Sequence, residues 1–126
     1  MISRSVFALT IAAFAFAATP SLADGVNGTW LRESGASKVR FAPCGDAVCG
    51  VMSWIKPGTD TPAKVGQRVF YGMKPAGANA WSGSAFNPED GKTYTGKMTL
   101  SGDSLTTQGC AMGGLICKST QWTRSN

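Results

Sequence analysis

Between residues 26 and 124 the chain alternates apolar and polar side chains in short runs, separated by clusters of Gly, Pro, Asn, Asp or Ser. Side chains of an extended segment point to opposite faces in turn, so eight such runs read as strands. They lie at 26–33, 37–43, 48–55, 68–74, 80–86, 92–100, 104–110 and 117–124. Alternation is cleanest at Lys38-Val39-Arg40-Phe41 and across 93–100, where Tyr94, Met98 and Leu100 share a face. The run 48–55 is apolar on both faces. In the turn Asn87-Pro88-Glu89-Asp90-Gly91, Pro sits where φ is near −65° and Gly where φ turns positive. No helical period follows Ala23, and the longest connection, 56–67, has room for one short turn.

Eight strands spaced this closely, without helical crossovers, predict an all-β fold: an eight-stranded antiparallel up-and-down barrel. Closure removes exposed sheet edges, and a ring of eight encloses an interior that side chains just fill or that holds one small ligand. A two-sheet sandwich has the same local signals.

The first residues change the picture of the compartment. Arg4 precedes the apolar run 6–18, Thr19-Pro20 breaks it, and Ser21-Leu22-Ala23 places small residues before Asp24. That is the layout of a secretory signal peptide, 1–23, cleaved after Ala23, leaving 24–126 as one domain in the periplasm or outside the cell. The apolar run is too short for a transmembrane span. The mature chain keeps 11 basic and 7 acidic residues, a net charge of +4. Its cations are scattered singly along the sequence, which reads as a solubilising surface, and no nucleic-acid partner is expected.

Cys44, Cys49, Cys110 and Cys117 are even in number, and export implies an oxidising compartment, so two disulfides are expected. Three connectivities exist. Proximity favours Cys44–Cys49 and Cys110–Cys117, each pair flanking a hairpin turn. The alternative, a four-cysteine zinc site, has unsuitable spacings, and no metal or other cofactor is expected.

Gly28-Thr29-Trp30 resembles the Gly-x-Trp element that opens lipocalins and other calycins, in which an Arg on the last strand packs over that Trp. Arg124, within Gln121-Trp122-Thr123-Arg124, stands in the matching place. Other motifs follow in order: Pro43-Cys44-Gly45-Asp46 with Cys49-Gly50, Trp81-Ser82-Gly83, Asn87 to Tyr94, and Gly109-Cys110. The whole series resembles an exported bacterial family known as domain of unknown function 2147. The resemblance implies a lipocalin-like barrel and an exported location, and no assigned reaction. The segment between Trp54 and Phe70 departs from the family by being short.

Strand parity then separates two rims. Gly28, Trp30, Trp122 and Arg124 are assigned to a structural plug at the closed end, with the turns 44–49, 75–79 and 101–103. The other rim collects 34–36, 56–67, 87–91 and 111–116, and longer loops on a rigid scaffold tend to carry binding. Met52, Trp54, Tyr71, Met73, Trp81, Tyr94 and Met98 are expected to point inward. Together with Met112, Leu115 and Ile116 of the apolar loop 111–116, they form the candidate ligand site. The plainer possibility for these residues is ordinary core packing.

The function expected from this layout is non-enzymatic binding of a small apolar molecule in the barrel mouth. The alternative is a protein-binding module, an inhibitor or envelope factor, docking through loop 111–116; a purely structural domain is a third. Catalysis is not expected. The chain has no His, and Asp24, Glu33, Asp46, Asp60, Glu89, Asp90 and Asp103 all fall in termini, strand ends or turns.

Overall fold

The computed structural model describes residues 25–125, so the signal-peptide reading lies outside the described residues. Eight strands form a closed antiparallel barrel in chain order. They are β1 (Gly28–Arg32), β2 (Ser37–Cys44), β3 (Ala47–Ile55), β4 (Arg68–Pro75), β5 (Ala80–Asn87), β6 (Lys92–Ser101), β7 (Ser104–Ala111) and β8 (Ile116–Ser125). The ring closes where Trp30 pairs with Arg124 and Arg32 with Trp122. It is a barrel rather than a sandwich because no strand is left with an unpaired edge. In the loop 111–116, which the sequence leaves irregular, Met112–Gly114 forms a 3₁₀ turn.

Cys44 is bonded to Cys49 and Cys110 to Cys117. Each bridge clamps a hairpin, the first at the closed rim and the second at the open rim. Using all four sulfurs this way leaves no thiolate for a metal.

The lower half of the barrel is filled. Trp30, Phe41, Val48, Met73, Trp81, Met98 and Leu105 are fully buried there. Beneath them the closed end is plugged by the segment entering β1. Trp30 donates its indole N–H to the Val26 carbonyl at 2.9 Å, and the Arg124 guanidinium lies 4.4 Å over the Trp30 ring. Arg124 also donates to the carbonyls of Gly25 (2.8 Å) and Asn27 (3.3 Å) and to the Asp103 carboxylate (3.1 Å). Gly28, at φ 121°, makes the bend that brings Asn27 under that fork.

Three bulges reset the parity of the wall, one of them in β4 at Val69, where one step of β3 from Gly50 to Val51 opposes two steps from Phe70 to Arg68. In β3, Met52 faces Val39 while Trp54 faces Lys38, so Ser53 is an extra residue. The strand therefore turns Ile55 inward and Trp54 outward, 37% exposed. In β4, three steps from Tyr71 to Lys74 oppose two steps of β5, with Gly72 at φ 53°. Phe70 and Met73 are both buried, and Tyr71, expected inside, is 41% exposed on the outer wall. A strict period of two cannot anticipate either residue, because each bulge shifts the register by one.

Candidate functional site

Towards the open rim the inward side chains shrink. Ser37, Ala85, Thr107, Gly109, Ala111 and Thr120 occupy positions that Trp, Phe and Met hold lower down. The space they leave is a cavity of about 510 Å³. Its apolar wall is Val39, Met52, Ile55, Val69, Phe70 and Trp122. Trp122, expected in the plug, lies one inward step above it and forms part of the cavity floor, donating its indole N–H to the Thr107 hydroxyl at 2.8 Å.

The long connection 56–67 is held over one side of the opening. Lys56 N–H bonds the Ala36 carbonyl, Gly66 N–H bonds the Met52 carbonyl, and the Thr61 hydroxyl donates to Glu89 at 2.6 Å. Ala63 packs down onto the core from this segment. The rim is electrically divided. Arg32 and Lys118 lie on the β8–β1 side, and Asp60, Glu89 and Asp90 on the side of the long connection and the β5–β6 turn. Tyr94 lines the cavity and donates its hydroxyl to Asp90. That bond holds the Asp90 carboxyl below the usual carboxylate range and raises the Tyr94 hydroxyl above the usual phenol value.

Of the ten residues nominated from sequence, Met52, Tyr94 and Ile116 line the cavity. Met73, Trp81 and Met98 are buried in the packed half beneath it. Trp54 and Tyr71 are outside, and Met112 and Leu115 stand in solvent at 70% and 85% exposure. Sequence reading missed Val39, Val69, Phe70 and Ile55. Val39 has the right parity within its strand; the other three are hidden by the bulges in β3 and β4. Among the described residues, no cluster of His, Cys, Asp and Glu could hold a metal ion.

A closed eight-stranded barrel, sealed at one end by Trp and Arg and hollow at the other, is a lipocalin-like architecture. The chain belongs to the bacterial family described as uncharacterized protein conserved in bacteria, DUF2147, whose model matches residues 28–124. A solved structure of similar fold is protein HP1028 from the human pathogen Helicobacter pylori, described as belonging to the lipocalin family. The TM-score is 0.63 at 17% identity, over 80% of this chain and 83% of that one. At that identity the likeness is one of fold. No curated protein matches.

Proposed function

We propose that this protein binds a small, mainly apolar molecule in the open-end cavity, catalyses no reaction, and works in the periplasm or outside the cell. The cavity carries the reading: about 510 Å³ is well within the size range of small-molecule pockets. Its apolar body is set by Val39, Met52, Val69 and Phe70. The Thr107 hydroxyl accepts from Trp122 and keeps its own hydrogen for a ligand acceptor, which gives one oriented polar handle. The acids near the cavity stand at its rim in a solvated turn and loop, and the Tyr94 hydrogen bond holds the Asp90 carboxyl below the usual carboxylate range, away from general-acid work. The two disulfides fit an oxidising compartment.

The test uses Gly109, whose side-chain direction opens into the cavity. A Cβ there meets only Tyr94, at 3.6 Å and beyond. Gly109→Leu therefore fills the mouth without a backbone clash. Wild type should enhance the fluorescence of the neutral probe N-phenyl-1-naphthylamine and transfer energy to it from Trp122, and Gly109→Leu should lose at least tenfold in affinity with its fold intact. Equal binding by both proteins, or none by wild type, sinks the reading.

A second reading rests on a separate observation. Met112, Leu115 and Ile116 are 70%, 85% and 56% exposed on a disulfide-clamped tip, a larger apolar exposure than the cavity explains. Docking of a protein partner there predicts that replacing Met112 and Leu115, which lie outside the cavity lining, by Ser abolishes partner capture while leaving probe binding unchanged.

A further inference from the structure

We propose that the outer wall of β2–β6 is a docking surface for an acidic polysaccharide, gripped by Arg40 and Arg68 on either side of Val51. The lysines and arginines that look scattered in sequence are gathered by the fold. Outward positions of the strands carry Lys38 and Arg40 on β2, Arg68 and Lys74 on β4, and Lys97 on β6. None of the strands contains an acid. Asp46, in the closed-rim turn, is the one carboxylate within 4 Å of these cations among the described residues, 3.5 Å from Lys74, while Asp60, Glu89 and Asp90 stand at the open rim. On the opposite side, the outward residues of β7, β8 and β1 are uncharged, and Thr106–Gln121 and Gln108–Ser119 hydrogen-bond to each other.

Strand register sets the cations in rows. Arg40 pairs with Val51 and Val51 with Arg68; Lys74 pairs with Ser82 and Ser82 with Lys97. Alternate strands lie about 10 Å apart, so each row presents two cations at that spacing over a small central residue. A groove of about 340 Å³ lies between the two arginines, floored by Val51, Ala42, Pro43 and the Cys44–Cys49 bridge. The same wall carries the two aromatics that the bulges turn outward. Trp54 lies under Lys38 and Tyr71 beside Arg68, at 5.5 and 5.6 Å.

Repeated cations at fixed spacing, with no interleaved acid, suit an extended chain of repeating anionic groups better than one small ion. Half-exposed indole and phenol rings offer flat apolar surface to the C–H face of a sugar ring. Guanidinium forks bind carboxylate and phosphate alike, so either group serves. The two disulfides fit the exported location proposed above, on which this choice of acidic glycan over nucleic acid rests.

Fluorescence polarisation at low and physiological salt tests this with four labelled probes: an alginate oligosaccharide (carboxylate), a phosphomannan (phosphate), neutral dextran and an oligothymidylate. At least one acidic glycan should bind, more weakly as salt rises, and dextran should not. Arg40→Gln/Arg68→Gln should weaken binding tenfold or more, and Lys74→Gln/Lys97→Gln threefold or more. Lys92→Gln/Lys118→Gln, which removes the same charge from the open rim, should stay within twofold. Circular dichroism confirms that each variant is folded, and the second-row pair serves if the arginine pair is not. Absence of glycan binding at low salt, equal loss in the rim variant, or oligothymidylate binding as tight as the glycan's overturns the proposal.

Discussion

Arg124 is the residue on which closure of the barrel's sealed end depends most, and replacing it by Met separates its contributions. The guanidinium donates to two backbone carbonyls, Gly25 and Asn27, and stacks on a fully buried indole, Trp30. Hydrogen bonds from a charged donor contribute roughly 1.5–3 kcal/mol each when shielded, and less here because the Arg124 side chain is 30% exposed. A partly desolvated cation over Trp adds about 1 kcal/mol. The ion pair to Asp103, whose side chain is 86% exposed, contributes about 0–1 kcal/mol. Met keeps much of the apolar contact with Trp30 and returns both carbonyls to water, so the net loss should be about 2–4 kcal/mol. For a domain of this size that is a fall in Tm of roughly 10–20 °C. Urea unfolding followed by Trp fluorescence and far-ultraviolet circular dichroism measures it, with an unchanged m-value confirming two-state behaviour. Arg124→Lys, which retains a cation but cannot span both carbonyls, should lose about half as much, and Asp103→Asn should cost no more than about 0.5 kcal/mol. A loss below about 1 kcal/mol for Arg124→Met, or equal losses for Arg124→Met and Asp103→Asn, refutes the assignment of the fork to the plug.

Tyr94→Phe removes the donor that stabilises the Asp90 carboxylate, so the Asp90 titration midpoint, read from its carboxyl carbon by NMR, should rise. Because the folded-state value is depressed in wild type, the stability gained from that bond is present above the ordinary carboxylate pKa and lost as pH falls through the depressed one. The raised Tyr94 hydroxyl gives the mirror case: its contribution holds below the ordinary phenol value and disappears as pH rises through the raised one. The stability gap between wild type and Tyr94→Phe should therefore close at both extremes, and a pH-independent gap refutes the linkage. Three glycines rank by what an added methyl meets. Gly83→Ala should be most damaging, since its Cβ falls 2.5 Å from the Tyr71 carbonyl and 2.6 Å from that of Gly72, neither of which can give way. Gly50→Ala, 2.8 and 2.9 Å from the Phe41 and Phe70 rings, should cost about 1–3 kcal/mol, and Gly109→Ala should be neutral or stabilising; thermal melts giving another order contradict it.

Strand positions, neighbour order, disulfide pairing and the separation of two rims were all legible in the sequence, because each depends on local signals: period-two alternation, turn residues, and cysteines close in the chain. Parity beyond a bulge was not legible. Around Ser53 the sequence Met52-Ser53-Trp54 alternates as well as any regular strand, and only pairing with β2 shows Val39 opposite Met52 and Lys38 opposite Trp54. Gly72 is the one local hint in β4, where a positive φ interrupts the strand between Tyr71 and Met73. The cationic wall escaped for a different reason: Arg40 and Arg68 are neighbours across a strand although 28 residues separate them in the chain. The cavity escaped because it is defined by the size of side chains meeting from several strands, which no single run displays.

That division of side-chain size bears on why the two ends differ. An eight-stranded ring is just wide enough to be filled, as its lower half is by Trp30, Phe41, Trp81 and Met98. The upper half forgoes the same filling at Ala85, Thr107, Gly109, Ala111 and Thr120. Small inward residues contribute little burial, and a void of this size loses dispersion contacts around its lining, so the open half is the less stable one. Its hairpins are held by other means: the Cys110–Cys117 clamp, the Thr61–Glu89 bond and the Tyr94–Asp90 bond. These devices fix the rim without occupying the interior. Apolar side chains at those five small positions would stabilise the barrel more directly, and they would remove the cavity. The sequence thus retains a hollow at a cost in stability while sealing the opposite end with Trp30 and Arg124, an arrangement that follows if occupancy of the hollow, rather than the barrel alone, is what the fold serves.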